Sequence, residues 1–297
     1  MAYLPLLQQA FIALLSTFIF AFFVILMVRF HTQKKIKQGL ADELAKKDNF
    51  AAGISYAAHL FTVLLIIGYL FRHLSFTDIK ADLLYGFILI SVATAFSYIG
   101  KQIHNKWVLS RFNEEQEIAK RNVSAALIES GAFLGNALII LGLYKWSHSQ
   151  SMDGLLIITS CFILLQFFLV VHRKWQEWLF ANSNQGTALQ TYLSLDNTAL
   201  GLRFSSQTLA LCMAIYAGLS YAPFYAGVFV DNILVVLSYC GILVILQQII
   251  SALFTRIALP KINTENEIEQ QDNIGVACVE LAIYLAVGLI LIALFNR

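Results

Sequence analysis

Charge and proline are both scarce in this chain. Of 297 residues only 13% are charged and three are proline, while 59% are hydrophobic. A soluble domain carries roughly a quarter charged residues and must still cover its surface with polar groups, so one water-exposed globule does not fit this composition. Cysteine is sparse too. Cys161, Cys212, Cys240 and Cys278 lie inside apolar runs, with no CxxC pair and no metal-like spacing to histidine. They read as small hydrophobes in helix packing. No GxxxxGKS/T, HExxH or GxSxG segment occurs, so P-loop nucleotide binding, zinc-protease chemistry and serine-hydrolase chemistry have no support. No enzyme activity, catalytic residue, metal site or cofactor is expected. The net charge of +2 gives no argument for a nucleic-acid partner.

What is present is length without interruption. A helix crossing the hydrocarbon needs about 20 mainly apolar residues. Runs of that kind lie near 8–29, 50–71, 83–103, 123–144, 154–172, 198–219, 229–253 and 274–295. A barrel would show alternating segments of about ten residues instead. The fold class expected is therefore all-α, a polytopic membrane helix bundle of about eight transmembrane helices. The first run has no basic stretch before it and is followed by positive charge, as in a retained first helix rather than a signal peptide. Long charged connections near 30–48, 101–121, 173–196 and 254–272, with their flanks, hold fifteen of the twenty Lys and Arg residues. The positive-inside rule places those connections in the cytoplasm and both termini outside. Lys34, Lys35 and Lys37 serve as topology determinants or as contacts to anionic headgroups, and Glu114, Glu115 and Glu117 read as a solvated helix extension.

The chain also repeats itself. Four helix starts on the long-loop side begin at Asn49, Asn122, Asn197 and Asn273, which stand 73, 75 and 76 residues apart. Each asparagine is followed by small residues two and four places on. The returning helices are expected to begin at Asp82, Asp153 and Asp231. Asn and Asp at such positions can accept bonds from the free N–H groups of a first turn. The small residues thin the helix and permit close packing. Alternatively, four converging helix N-termini would bind an anion or headgroup. A second pattern pairs the units. Seven residues after the asparagine stand Tyr56, Glu129, Phe204 and Glu280; ten residues after it stand His59, Ala132, Gln207 and Ile283. This is a tandem duplication of a four-helix unit, roughly 1–147 and 148–297, with parallel rather than inverted repeats.

On these motifs the sequence resembles the YjfL-like family of bacterial inner-membrane proteins, grouped as a domain of unknown function (DUF350). That domain has four helices with an Asn-x-Ala-x-small motif opening its second and fourth, and two copies account for almost the whole chain. Ser124 and Gly275 depart from the family's alanine but remain small. The resemblance implies a bacterial inner-membrane protein and brings no catalytic residues.

Glu129 and Glu280 lie roughly 10 Å inside their helices at 1.5 Å per residue. A charge facing lipid costs at least ~2.5–3.5 kcal/mol, so both should face the bundle interior. Arg203 is at nearly the same depth and is their expected partner, leaving one glutamate protonated or in contact with a cation or water. His59 and Gln207 extend a polar track inward, which Gln166 and Gln247 join from the returning helices. These seven residues form either an ion- or proton-handling site or a set of interhelical bonds fixing the duplicated halves. Two functions follow: passive or gradient-driven transport of an ion or small solute, or a non-enzymatic membrane scaffold or envelope-stress component. The partners compatible with the sequence are the lipid bilayer, further copies of the chain as a homo-oligomer, or a peripheral cytoplasmic protein that, like lipid, a scaffold would bind.

Overall fold

A computed structural model describes residues 3–35, 39–72, 78–147, 152–225 and 227–295, and no strand occurs among them. The expected junction between halves falls at residues 148–151, outside the described residues, as do Lys37, Arg297 and the side chains of Lys35 and Asp153. In chain order come α1 (Tyr3–Lys35), α2 (Phe50–Arg72), α3 (Ile79–Ile103), α4 (Glu114–Ala119), α5 (Val123–Ser147) and α6 (Met152–Ser183). They are followed by α7 (Leu189–Ser194), α8 (Thr198–Tyr221), α9 (Phe229–Ala258), α10 (Thr264–Glu269) and α11 (Ile274–Phe295). A π-helical turn at Asp42–Lys46 precedes α2, and another at His104–Val108 prolongs α3. Among the described residues, seven helices are long and apolar enough to cross a membrane: α1, α2, α3, α5, α6, α9 and α11. The eighth long helix, α8, is more polar because it carries Arg203, Ser205, Ser206, Gln207 and Thr208. Its neighbours α5, α9 and α11 enclose it, so these groups meet protein rather than lipid.

The helices that follow the four asparagines form a row, α2 beside α5, α5 beside α8, and α8 beside α11. The row is open, and α2 and α11 stand at its two ends. A second layer leans on it: α1 against α2, α3 against α2 and α5, α6 against α5, and α9 against α8 and α11. Close approach at the row's centre rests on small residues. A Cβ added to Gly201 of α8 would lie 2.7 Å from the Ser124 Cα, and one on Gly131 of α5 would lie 2.9 Å from the Ser205 Cα. Two parallel helices can come this near only where one side chain is a hydrogen. A broad core of Ile139, Ile140, Phe162, Leu165, Leu211 and Ile215 fills the middle of the bundle. A second core, including Phe112, Ile128, Leu193, Leu200 and Ile268, lies under the short helices near the asparagines.

The structure corrects three details of the sequence reading. α3 is capped by Asp78, which accepts from the Ala81 N–H at 3.2 Å, so Asp82 lies within its first turn. α9 begins at Phe229 and places Asp231 inside the helix, beyond the cap. Cys161, Cys212 and Cys240 are buried, but Cys278 is exposed on α11.

Gly201→Ala is expected to lower unfolding free energy in mild detergent by about 1–3 kcal/mol, the cost of overpacking a tight contact. Gly241→Ala is the control, since nothing lies within 4 Å of a Cβ there. It should be neutral or slightly stabilising through helix propensity.

Candidate functional site

Each of the four asparagines caps its helix. Asn49, Asn122, Asn197 and Asn273 accept from the N–H groups of Ala52, Ala125, Leu200 and Val276 at 3.1, 2.8, 2.7 and 3.2 Å. The side-chain amide then reaches onward. Asn49 donates to the Ile118 carbonyl at 3.0 Å, Asn122 to the Leu193 carbonyl at 2.9 Å, and Asn197 to the Ile268 and Glu269 carbonyls at 3.1 Å. Every acceptor belongs to the short helix of the following unit.

A return bond closes the link. The residue before each asparagine, Asp48, Arg121, Asp196 or Asp272, has φ of 50°, 72°, 60° or 51°. This left-handed residue reverses the chain between the short helix and the long one. From that corner Asp196 accepts from the Ser124 N–H at 3.0 Å, and Asp272 accepts from the Ala199 N–H at 2.7 Å. Arg121 instead donates to the Lys47 carbonyl. The free N–H groups that an anion would need are thus already engaged in the middle units. The four N-termini also lie along a row and do not converge on one point.

Glu43, in the turn before α2, accepts from Lys47 at 2.7 Å and from the Asn49 amide at 3.0 Å. Those bonds hold its carboxyl below the ordinary carboxylate range. Glu114, expected to be solvated, is 2% exposed. Its carboxylate lies 3.4 Å from the His104 ring nitrogen.

The two glutamates deeper in the bundle are served by different cations. Glu129 of α5 accepts from the Lys101 ammonium of α3 and from the Ser55 hydroxyl of α2. The ammonium also sits 4.7 Å from the centre of the Phe133 ring, on which His59 stacks at 4.6 Å. Farther along α5, Asn136 accepts from Gln166 of α6 at 2.8 Å and donates to the Phe96 and Ser97 carbonyls at 3.3 Å. Ser97, Lys101, Asn105, Glu114, Glu129 and Asn136 help to line a cavity of about 10 Å³, close to the least space one water needs.

Glu280 of α11 is gripped by Arg203 of α8 through two parallel bonds, from Nε and from Nη2, each of 2.8 Å. The same guanidinium donates to Glu269 at 3.0 Å and to the Thr264 carbonyl at 2.9 Å. A planar fork of this kind matches a carboxylate in both distance and direction. Burial pushes the Glu269 carboxyl up, against the bond from Asn184 and the nearby Arg203 charge. Ser55 and Arg203 occupy the same repeat position, six residues after Asn49 and Asn197. One slot therefore faces the glutamate with a hydroxyl in the first half and a guanidinium in the second.

Arg203 thus serves Glu280 and not Glu129. The glutamate that Arg203 does not serve, Glu129, is in contact with a cation, the Lys101 ammonium. The polar residues form two clusters, one among α2, α3, α5 and α6 and one among α8, α9 and α11, rather than one track. His59 and Gln166 belong to the first. Gln207 and Gln247 belong to the second, where Gln207 accepts from Arg173 at 3.5 Å and Gln247 donates to Ser251 and the Tyr284 carbonyl at 3.0 Å.

Lys101 and Arg173 were counted with the loops, but both lie inside helices. Arg173 is 5% exposed and donates to Thr208, Gln176 and, at 2.9 Å, the Phe204 carbonyl. It also lies 4.2 Å over the Phe204 ring, where Glu129 and Glu280 stand in the even-numbered units. The available signal was the repeat itself, since each cation lies within about a helix length of the next asparagine.

No group of three or more His, Cys, Asp or Glu side chains able to hold a metal occurs among the described residues. Chemically, the site offers two neutralised carboxylates and interhelical hydrogen bonds. The family model for a Domain of Unknown Function (DUF350) matches residues 6–144 and again residues 150–295. No curated protein and no solved structure matches the chain.

Removing one member of a buried pair leaves an uncompensated charge and costs about 3–5 kcal/mol. Lys101→Met should fall in that range by unfolding in detergent, while Lys101→Met with Glu129→Leu should recover most of the loss. A second expectation concerns acid. Because the folded pKa of Glu43 is depressed, its stabilisation is full above the unfolded glutamate pKa and is lost as pH falls through the folded value. Glu43→Gln should flatten the acid side of the stability curve.

Proposed function

The chain belongs to the DUF350 family, in two copies, and from that premise we propose that it is a non-enzymatic scaffold of the bacterial inner membrane. Its asparagine-bearing face lies in the cytoplasm, following the excess of Lys and Arg in the long connections. The observation that carries this reading is the pairing of both intramembrane acids: Glu129 with Lys101, and Glu280 with Arg203. Such pairs fix one arrangement of the helices and leave neither Glu129 nor Glu280 free to take up an ion. A peripheral partner would meet the short helices, where Glu115 and Glu265 face outward.

One observation favours a second reading. The cavity beside Lys101 and Glu129 offers the space for a single water, which gradient-driven proton handling at that pair would use.

Liposomes separate the two. The scaffold reading expects wild-type protein to show no proton or monovalent-cation flux above protein-free vesicles. It expects Glu129→Gln with Glu280→Gln to lower thermal stability. Wild-type flux that the double variant abolishes while remaining folded would overturn it.

A further inference from the structure

The row of repeated helices contains three finished junctions and two unfinished ends. At each finished junction an asparagine amide reaches the backbone of the following short helix, and the corner residue of that following unit reaches back. At one end of the row, unit four has the same equipment with no following unit among the described residues. Asn273 donates to its own Glu267 at 2.7 Å, as Asn49 does to Glu43 at 3.0 Å. Asn49 spends its second amide hydrogen on the next unit. The second hydrogen of Asn273 has no acceptor among the described residues. Gly275, two places on, is exposed, whereas its counterparts Ser124 and Ala199 are buried and donate their N–H groups to Asp196 and Asp272.

The other end carries the complement. Asp48 has the corner conformation of Asp196 and Asp272, with φ of 50° beside 60° and 51°, and it is exposed. Leu44, at the position of Ile268, is 36% exposed where Ile268 is fully buried. The helix faces agree with the ends. Val279, Ala282 and Ala286 of α11 line an open apolar groove of about 490 Å³. They match Ile128, Gly131 and Gly135 of α5, the last two of which meet Ser205 and Cys212 of α8. On α2 the positions of Ser205, Cys212 and Tyr216 are Ala57, Leu64 and Gly68, all exposed.

We propose that copies of this chain assemble head to tail, α11 of one against α2 of the next, through a fourth junction of the kind already present three times within the chain. Asn273 donates to the Leu44 carbonyl of the next copy, and Asp48 of that copy accepts from the Gly275 N–H. Successive units share one orientation, so the contact repeats within a single bilayer. Being heterologous, it closes into a ring or runs on as a file. The junction goes beyond the scaffold reading and stands whether or not the protein conducts ions.

The test is disulfide trapping of full-length protein in native membranes, with exposed Cys278 changed to Ser. Asp48→Cys with Gly275→Cys should give, on mild oxidation, a ladder of covalent dimers and higher species on non-reducing gels. Co-expressed single variants, Asp48→Cys in one copy and Gly275→Cys in the other, should stop at the dimer. Asp196→Cys with Ser124→Cys reports the in-chain junction, which should close without raising the mass. No intermolecular product from the first pair, in membranes where the in-chain pair closes, would overturn the proposal. So would equal dimer yield from either single variant expressed alone, because that marks a symmetric contact.

Discussion

A helix that starts at a membrane surface leaves four backbone N–H groups without intrahelical partners, and an unsatisfied group near hydrocarbon costs several kcal/mol. In this protein one residue type meets that demand four times. The asparagine oxygen caps the first turn, and its amide nitrogen remains free to act elsewhere. Aspartate or serine would cap equally well but could not donate across to the next unit in the same way. The choice of asparagine therefore joins two scales, satisfying a helix end and setting the distance to its neighbour. The short helices, the left-handed corners and the small residues of α5 and α8 all take their places from that link.

The buried charges belong to the same construction one layer deeper. Lys101 joins α3 to α5 through Glu129, and Arg203 joins α8 to α11 and α10 through Glu280 and Glu269. Hydrophobic burial cannot specify how helices meet inside lipid, because the surrounding chains are as apolar as leucine. Polar and small residues supply that specificity. The bilayer makes each wrong pairing costly, so a few such contacts can order eight helices.

Much of this was legible in the residues. Spans announce themselves because hydrocarbon thickness sets their length, and the asparagine starts do so because capping is local chemistry repeated at near-constant spacing. The helix ends were less legible. Lys101 and Arg173 looked like loop residues, since a hydropathy window stops at charge while α3 and α6 continue past it. Asp82 and Asp231 marked where apolar sequence begins, which lies some residues after the helices do. Which cation meets which glutamate depends on the order of helices across the bundle, and no local spacing encodes that. One signal was overlooked: an aspartate precedes three of the four asparagines, and that residue makes the corner and, at Asp196 and Asp272, the return bond.

Serine in place of each asparagine isolates the central claim, because it keeps the cap and removes the reaching amide. For protein held monomeric in detergent, unfolding free energies would be measured for the four single variants. The account predicts that Asn122→Ser and Asn197→Ser each lose about 1–3 kcal/mol, the cost of stranding a buried polar group. Asn273→Ser, whose amide meets no other unit among the described residues, should lose clearly less. Equal losses at all four positions, or none at Asn122 and Asn197, would contradict the account.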